Sequence, residues 1–496
     1  MESSRKCLVN IMLKKIFSKK PINELINASE NTDKSLKRSI GPTGLILLGL
    51  GSIIGAGIFI VTGVTAANYS GPALIISFII SAVACAFTAL CYAEFASMIP
   101  IAGSVYTYTY VTLGEIWAWM IGWVLIFEYL ISASAVAVGW SSYTVGLLGS
   151  TGVNLPSYLT GSMVVGGFIN LPAVLIIGVL TGVLILGARE STRINAAIVI
   201  ANIAVIIIFI VVGLKFINPA NYTPFTPFGI AGVFQGAAMV FFAYIGFDAV
   251  STAAEETKDP QKNLPRGIIG SLIISSILYI VVAAVLTGMV PYYLLNNGAP
   301  VAFALQYVGS NWIASIVSIG ALCGITSVLL TSLFGQTRIF FAMSRDGLLP
   351  SIFSRVHSSY KSPVTSIILV GTVAAFIAAF IPLALIIELV NIGTLSAFIF
   401  LAISVIVLRR SQPDIPRGFK CPLVPVIPII SIISCLFLIT QLSSTTLQRF
   451  AISLIIGVSV YFLYGMRKSK LNNSEGDDVN GVNLIATDTL IETEPE

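Results

Sequence analysis

The stretch Gly49–Gly63, GLGSIIGAGIFIVTG, decides how the chain is read. It falls inside the first long apolar segment, where a membrane helix should run unbroken. Yet glycine stands at positions 49, 51, 55, 57 and 63. Each interior glycine costs a helix about 1 kcal/mol relative to alanine, while the flanking isoleucines and Phe59 keep the segment apolar enough for a bilayer. A helix broken over Ser52–Gly57 bares backbone N–H and C=O groups at membrane depth, which is tolerated only where they line a cavity or hold a ligand. The two half-helices then aim ends of opposite polarity at the gap, and an amino acid zwitterion carries one charge for each. Gly51 and Gly55 also have the spacing of a helix-packing face, and on this stretch alone that reading competes evenly.

The chain has 496 residues, 56% apolar and only 10% charged, against about 25% charge in soluble domains. It therefore reads as an all-α polytopic membrane protein. Segments apolar and long enough for a bilayer fall at 43–67, 72–98, 114–146, 171–188, 192–216, 229–256, 266–290, 311–344, 364–382, 385–408, 424–443 and 447–466, which makes twelve. With both termini cytoplasmic, every Lys and Arg except Lys215 and Arg449 lies on the inner side, as the positive-inside rule requires. Residues 1–40, with nine Lys/Arg against four acids, read as a solvated cytoplasmic tail, and 467–496 as an acidic, disordered one. The six cysteines have no metal or disulfide spacing, and the single histidine, His357, sits in a polar loop. No metal, cofactor or enzymatic activity is expected. The net charge of +5 comes from loop residues and gives no pointer to nucleic acid, and the chain has no Walker A motif to make ATP the driver.

A second interrupted helix appears at Gly236–Glu256, GAAMVFFAYIGFDAVSTAAEE. The break is expected at Ile245–Gly246, with Asp248 capping the second half. Interrupted helices stand first and sixth of twelve. They divide the first ten into blocks of five, 41–216 and 229–408, followed by a pair at 424–466. Segments interrupted at corresponding positions of two halves point to an inverted-repeat transporter with its site at the midplane. That favours the binding reading of Gly51–Gly57 over packing alone.

The runs IIGAGIF (53–59), YAEFASMIPIAGSVYTY (92–108), GEIWAWMIGW (114–123), FFAYIGFDAVSTAAEETKDPQKNLPRGI (241–268) and GQTRIFFAMSRDGLLP (335–350) resemble bacterial amino acid permeases of the amino acid–polyamine–organocation (APC) superfamily. The branch they match best is similar to the cationic amino acid transporters, and the match runs from about residue 39 to about 466. The resemblance implies the 5+5 inverted-repeat fold shared with the sodium-coupled leucine transporter, with helices 1 and 6 broken at the midplane. It also implies a pocket in which backbone at Ile53, Gly55, Ala56 and Gly57 holds the substrate α-carboxylate. Carbonyls at Phe242, Ala243, Ile245 and Ile53 would hold the α-amino group. Elementary physics agrees, since free N–H groups at a helix start favour an anion. Two departures stand out. Asn202 occupies the position where bacterial members often carry a lysine linked to proton coupling. Val124 replaces an acid that relatives carry in the third helix, although Glu128 remains.

Charged groups inside spans cost at least ~2.5 kcal/mol on insertion scales and tend to mark pathways. Glu128, with no base near it in sequence and no other acid expected beside it, reads as a site for a cationic side chain or a proton carrier. The plainer reading is a neutral carboxyl bonded to a neighbouring helix. Glu388 reads as a helix-capping residue, and Glu94 as a gate or structural contact. In the eighth helix, Thr326 and Ser327 offer adjacent hydroxyls which either join Asn202 in a coupling site for H+ or Na+ or bond their own backbone. The function expected is a secondary transporter of cationic or small neutral amino acids in a bacterial inner (plasma) membrane, working by alternating access. An exchanger or amino acid sensor without ion coupling is the alternative. A channel would require a filter motif that the sequence lacks.

Overall fold

The computed structural model describes residues 16–21, 40–99, 104–162, 166–186, 192–357, 360 and 362–471. Helix α1 (Pro42–Ile53) starts on a proline, whose missing N–H is harmless in a first turn, and ends where Ile54 leaves helical space at φ −81° and ψ 94°. The chain resumes as a π-helical turn (Gly57–Val61), α2 (Thr62–Thr65) and a second π turn (Ala66–Ser70). The break expected over Ser52–Gly57 is thus confined to Ile54 and Gly55. Then follow α3 (Leu74–Met98), the short α4 (Ser104–Thr112), α5 (Glu115–Ser150), α6 (Leu171–Ile185) and α7 (Thr192–Gly213).

The sixth segment begins as α8 (Gly229–Val240), tightens to a 3-10 turn at Phe241–Tyr244 and breaks at Ile245 (φ −61°, ψ 133°). It continues as a 3-10 helix over Phe247–Glu256. Here the structure corrects one expectation. The capping position is Gly246 at φ +119°, and Asp248 lies inside the first turn. That φ is open to glycine and strained for aspartate, while the Asp248 carboxyl still serves the helix start by taking the backbone N–H groups of Gly246, Asp248 and Ala249.

The remainder is α9 (Pro260–Met289), α10 (Pro300–Tyr307), α11 (Asn311–Arg345), α12 (Val364–Phe380), α13 (Leu383–Ser411), α14 (Val426–Thr440) and α15 (Ser444–Val460). Among the described residues the only β pairings are two isolated bridges, Ile40 with Thr257 and Thr160 with Asn170. Eight helical stretches are long and apolar enough to cross a membrane, the longest being Pro42–Met98 at 57 residues, and α6, α12 and α14 are shorter apolar helices. The largest helix interfaces put α5 on α11 and α13, α9 on α3 and α1, and α13 on α14, with α6 on α12 next.

The two ends differ in what holds them. At one, Glu94 of α3 binds Arg409 of α13 through two 2.8 Å contacts and Arg417 at 3.2 Å. At the other, Glu388 of α13 accepts from the Ser443 and Thr446 hydroxyls at the start of α15, where Ser443 is the cap, so the carboxyl ties the two helices together rather than capping its own. Residues 16–21 also depart from a solvated tail. Ser18 is buried, and Lys20 pairs with Asp346 at 2.6 Å. The rest of 1–40, apart from Ile40, and the acidic tail from 472 lie outside the described residues.

Candidate functional site

The two breaks meet backbone to backbone. A Cβ on Gly57 would stand 2.3 Å from Ala243 Cα, and one on Gly246 would stand 2.5 Å from the Ser52 carbonyl oxygen. Gly55 lies against α11, where an added Cβ would meet Val328 Cγ2 at 2.5 Å. The glycines therefore do two jobs at once, since the contacts that allow close packing are the ones that bring the unwound segments together. Ile53, Ala56, Phe242 and Ala243 are buried, and Ile245 is half-buried.

Several of the backbone groups bared by the breaks are already engaged. The Ile53 carbonyl, one expected partner of an amino group, accepts the Tyr279 hydroxyl of α9 at 2.7 Å. The Phe242 carbonyl accepts the Ile245 N–H at 3.3 Å. Below the sixth break, Ser77 and Ser81 of α3 donate to the Val233 and Ala237 carbonyls at 2.8 and 2.5 Å. Asn391 of α13 donates to those of Ala238 and Met239. Tyr143 of α5 donates to Phe59 O at 2.8 Å, beyond the first break. The first N–H groups of the resumed first helix, around Ala56 and Gly57, have no preceding turn of carbonyls to bond. Bared N–H groups of that kind favour an anion.

Glu128 is buried on α5 against Gly393 of α13, whose added Cβ would lie 3.4 Å from Glu128 Cβ. Its carboxyl meets the Thr394 side chain, and its Oε2 has no hydrogen-bond partner. Asp248, in the first turn after the sixth break, is near enough to interact electrostatically with both Glu128 and Tyr129. Asp248 is thus a second acid within electrostatic range of Glu128, one the sequence reading did not set near it. Asp248 was read only as a cap, and what it faces depends on how the broken helix crosses α5.

The coupling candidates separate. Asn202 of α7 is buried directly on Gly324 of α11, where an added Cβ would fall 1.8 Å from its Nδ2, and its Oδ1 has no partner. Ser327 shares the Gly324 face one turn on, next to the Val328 that touches Gly55. Thr326 points elsewhere: its hydroxyl donates to Leu322 O at 2.6 Å and accepts from Trp140 Nε1 at 3.0 Å. Thus Asn202, Ser327 and Gly55 gather on one side of α11, and Thr326 turns towards α5. Tyr279, Asn391 and Asp248 are the residues that sequence reading missed or misassigned. Their one sequence signal was polarity inside an apolar segment.

The amino acid permease family model matches residues 40–463. The chain is 51% identical over 462 residues to the branched-chain amino acid permease BcaP of Bacillus subtilis (strain 168), covering 92% of this chain and 99% of that one. It is also 51% identical over 459 residues to the methylthioribose transporter of the same strain, with coverage of 92% and 99%. Against the vacuolar cationic amino acid transporter 4 of Arabidopsis thaliana it is 41% identical over 390 residues, 76% of this chain and 64% of that one. With several apolar helices long enough to cross a bilayer and a family match over most of its length, the chain is a multi-pass membrane transporter, not an enzyme, and belongs to the amino acid permease family.

Proposed function

We propose that this protein carries amino acids, cationic and small neutral ones, across a bacterial inner membrane by alternating access at the two helix breaks. The observation that carries the reading is the contact of Gly57 with Ala243. It sets a helix start with free N–H groups beside carbonyls at Phe242, Ala243 and Ile245, a pair of edges matched to a carboxylate and an ammonium. Ile53 completes the amino side by the remaining lone pair of its carbonyl, beside Tyr279. Glu128 sets the charge preference, and Asn202 with Ser327 forms the candidate coupling site, with Thr326 outside it.

Twelve crossings with both termini cytoplasmic fit this reading. A straight helix of 57 residues would be about 85 Å long, far beyond a ~30 Å hydrocarbon core, so Pro42–Met98 counts as two crossings that turn at Gly71 (φ +60°). Counting α6, α12 and α14 brings the total to twelve. The pairing of α3 with α9, α5 with α11 and α6 with α12 is each span against the one five later. These three pairs are compatible with an inverted repeat about an in-plane axis, while α5 with α13, α1 with α9 and α13 with α14 are interfaces of similar size outside that pattern.

The test is a thermal-shift panel on the purified protein with the twenty amino acids and methylthioribose, followed by proteoliposome uptake and counterflow. Ligand at 100 times Kd should stabilise by ~2.7 kcal/mol. Stabilisation by lysine, arginine, leucine or alanine with saturable counterflow is the expected result. Stabilisation by methylthioribose alone, or binding without counterflow, would refute the amino acid carrier.

A further inference from the structure

We propose that Asn391 is the positioning residue for the sixth-helix break, and that α13 aims the carbonyls which receive the substrate amino group. Asn391 is completely buried, and its Nδ2 donates to Ala238 O at 2.7 Å and Met239 O at 3.2 Å. Those carbonyls belong to the last turn of α8, where the winding tightens from α to 3-10. Helix-end carbonyls lack intrahelical donors, and a change of winding misaligns them further. One amide with two hydrogens bridges both. Its orientation is fixed by chemistry, because a flipped amide would set its oxygen against two carbonyl oxygens. The Oδ1 of Asn391 has no partner of its own.

The same face of α13 continues the brace. Thr394, three residues on, meets the Glu128 carboxyl. Phe398, four further, packs on Phe241 before the break (5.9 Å, 72°) and on Phe247 after it (5.3 Å, 42°). Positions i, i+3 and i+7 share one side of a helix. One stripe therefore holds the approach to the break, spans it, and touches the acid on α5. Ile245 and Gly246 have no regular ladder of their own, so the direction of the Phe242–Ile245 carbonyls is set by what clamps the chain on either side. Asn391 is the hydrogen-bonded half of that clamp.

This inference rests on the reading of the sixth break as the amino-group site. The experiment compares Asn391→Leu and Asn391→Gln with the parent in proteoliposomes. Uptake of L-leucine and L-arginine is measured, with 4-methylpentanoate and 5-guanidinopentanoate, which lack the α-amino group, as competitors. In Asn391→Leu the KM for the amino acids should rise about tenfold, equal to 1.4 kcal/mol, and Vmax should change by less than about threefold. The Ki of the deaminated acids should stay put, so the preference for an amine collapses. Asn391→Gln keeps the donors one methylene further out and should recover part of it. A preference that survives in Asn391→Leu, or an equal loss for both ligand types, overturns the positioning role. If Asn391→Leu does not reach the membrane, Asn391→Gln decides: an unchanged KM overturns the role, and a selective rise of about threefold supports it. A parent protein that takes amine-bearing and deaminated ligands alike would overturn the site reading itself, and this inference with it.

Discussion

Removing the charge of Glu94 tests the lock between α3 and α13. The carboxylate takes Nε and Nη2 of Arg409 at 2.8 Å each, Nε of Arg417 at 3.2 Å and the Cys421 N–H at 2.8 Å. Its side chain is 3% exposed, that of Arg417 4% and that of Arg409 26%. Deleting one partner of a buried ion pair costs about 3–5 kcal/mol, because the other charge stays buried uncompensated. Arg417 keeps acceptors in the Pro413, Ile415 and Gln412 carbonyls, so Glu94→Gln should fall near the lower end, about 3 kcal/mol. Arg409→Gln leaves Glu94 still paired with Arg417 and should cost less, about 1.5–3 kcal/mol, the scale of a hydrogen bond to a charged group. In a double-mutant cycle, read from denaturant unfolding in mixed micelles, the coupling should lie within that same range. Raising the salt from ~0.1 M to ~1 M shortens the Debye length from about 10 to about 3 Å, yet a pair this buried should keep most of its coupling. Coupling under about 0.5 kcal/mol, the limit of ordinary additivity, would refute the lock, and a collapse in high salt would mean that the pair is solvated.

Other changes separate packing from binding. Gly57→Ala sets a methyl against Ala243 backbone at 2.3 Å, so folded yield on size exclusion should drop sharply. Gly55→Ala meets the Val328 side chain rather than backbone, a clash a small shift of α11 can relieve, so the protein should fold and lose amino acid thermal shifts. Normal folding of the first or normal binding by the second would contradict this division. Asn202 supplies no titratable group, so uptake should not strictly require a proton gradient through this position. Uptake under imposed proton or sodium gradients, in the parent and Asn202→Ala, checks it, and a proton dependence that Asn202→Ala abolishes would count against the reasoning.

The breaks were legible because glycine and the FFAYIGF run write local conformation into local sequence. What occupies the bared carbonyls was not legible. Tyr279 reaches Ile53 across 226 residues and Asn391 reaches Ala238 across 153, and contacts of that kind follow from helix register, which a single sequence does not fix. The same limit hid which face of α11 meets Asn202, and with it the fact that Thr326 lies off that face. It also hid Asp248, and that omission alters the charge argument.

With one carboxyl in the pocket, Glu128→Gln would remove all of its negative charge. Asp248 stands within electrostatic reach of Glu128, so the two should share the field on a lysine- or arginine-like side chain that enters there. Glu128→Gln should then weaken arginine binding by about 1.5 kcal/mol, the lower end for a charged hydrogen bond, with Asp248 compensating for part of the loss. Glu128→Gln with Asp248→Asn should cost more than the two single losses added, because each single variant leaves the other acid to serve the cation. Leucine binding should move little in any of the three, since its side chain carries no charge to lose. Isothermal titration of arginine and leucine against the set measures this. Equal losses for both ligands would make the two acids structural, and strictly additive arginine losses would show that they do not share a substrate cation.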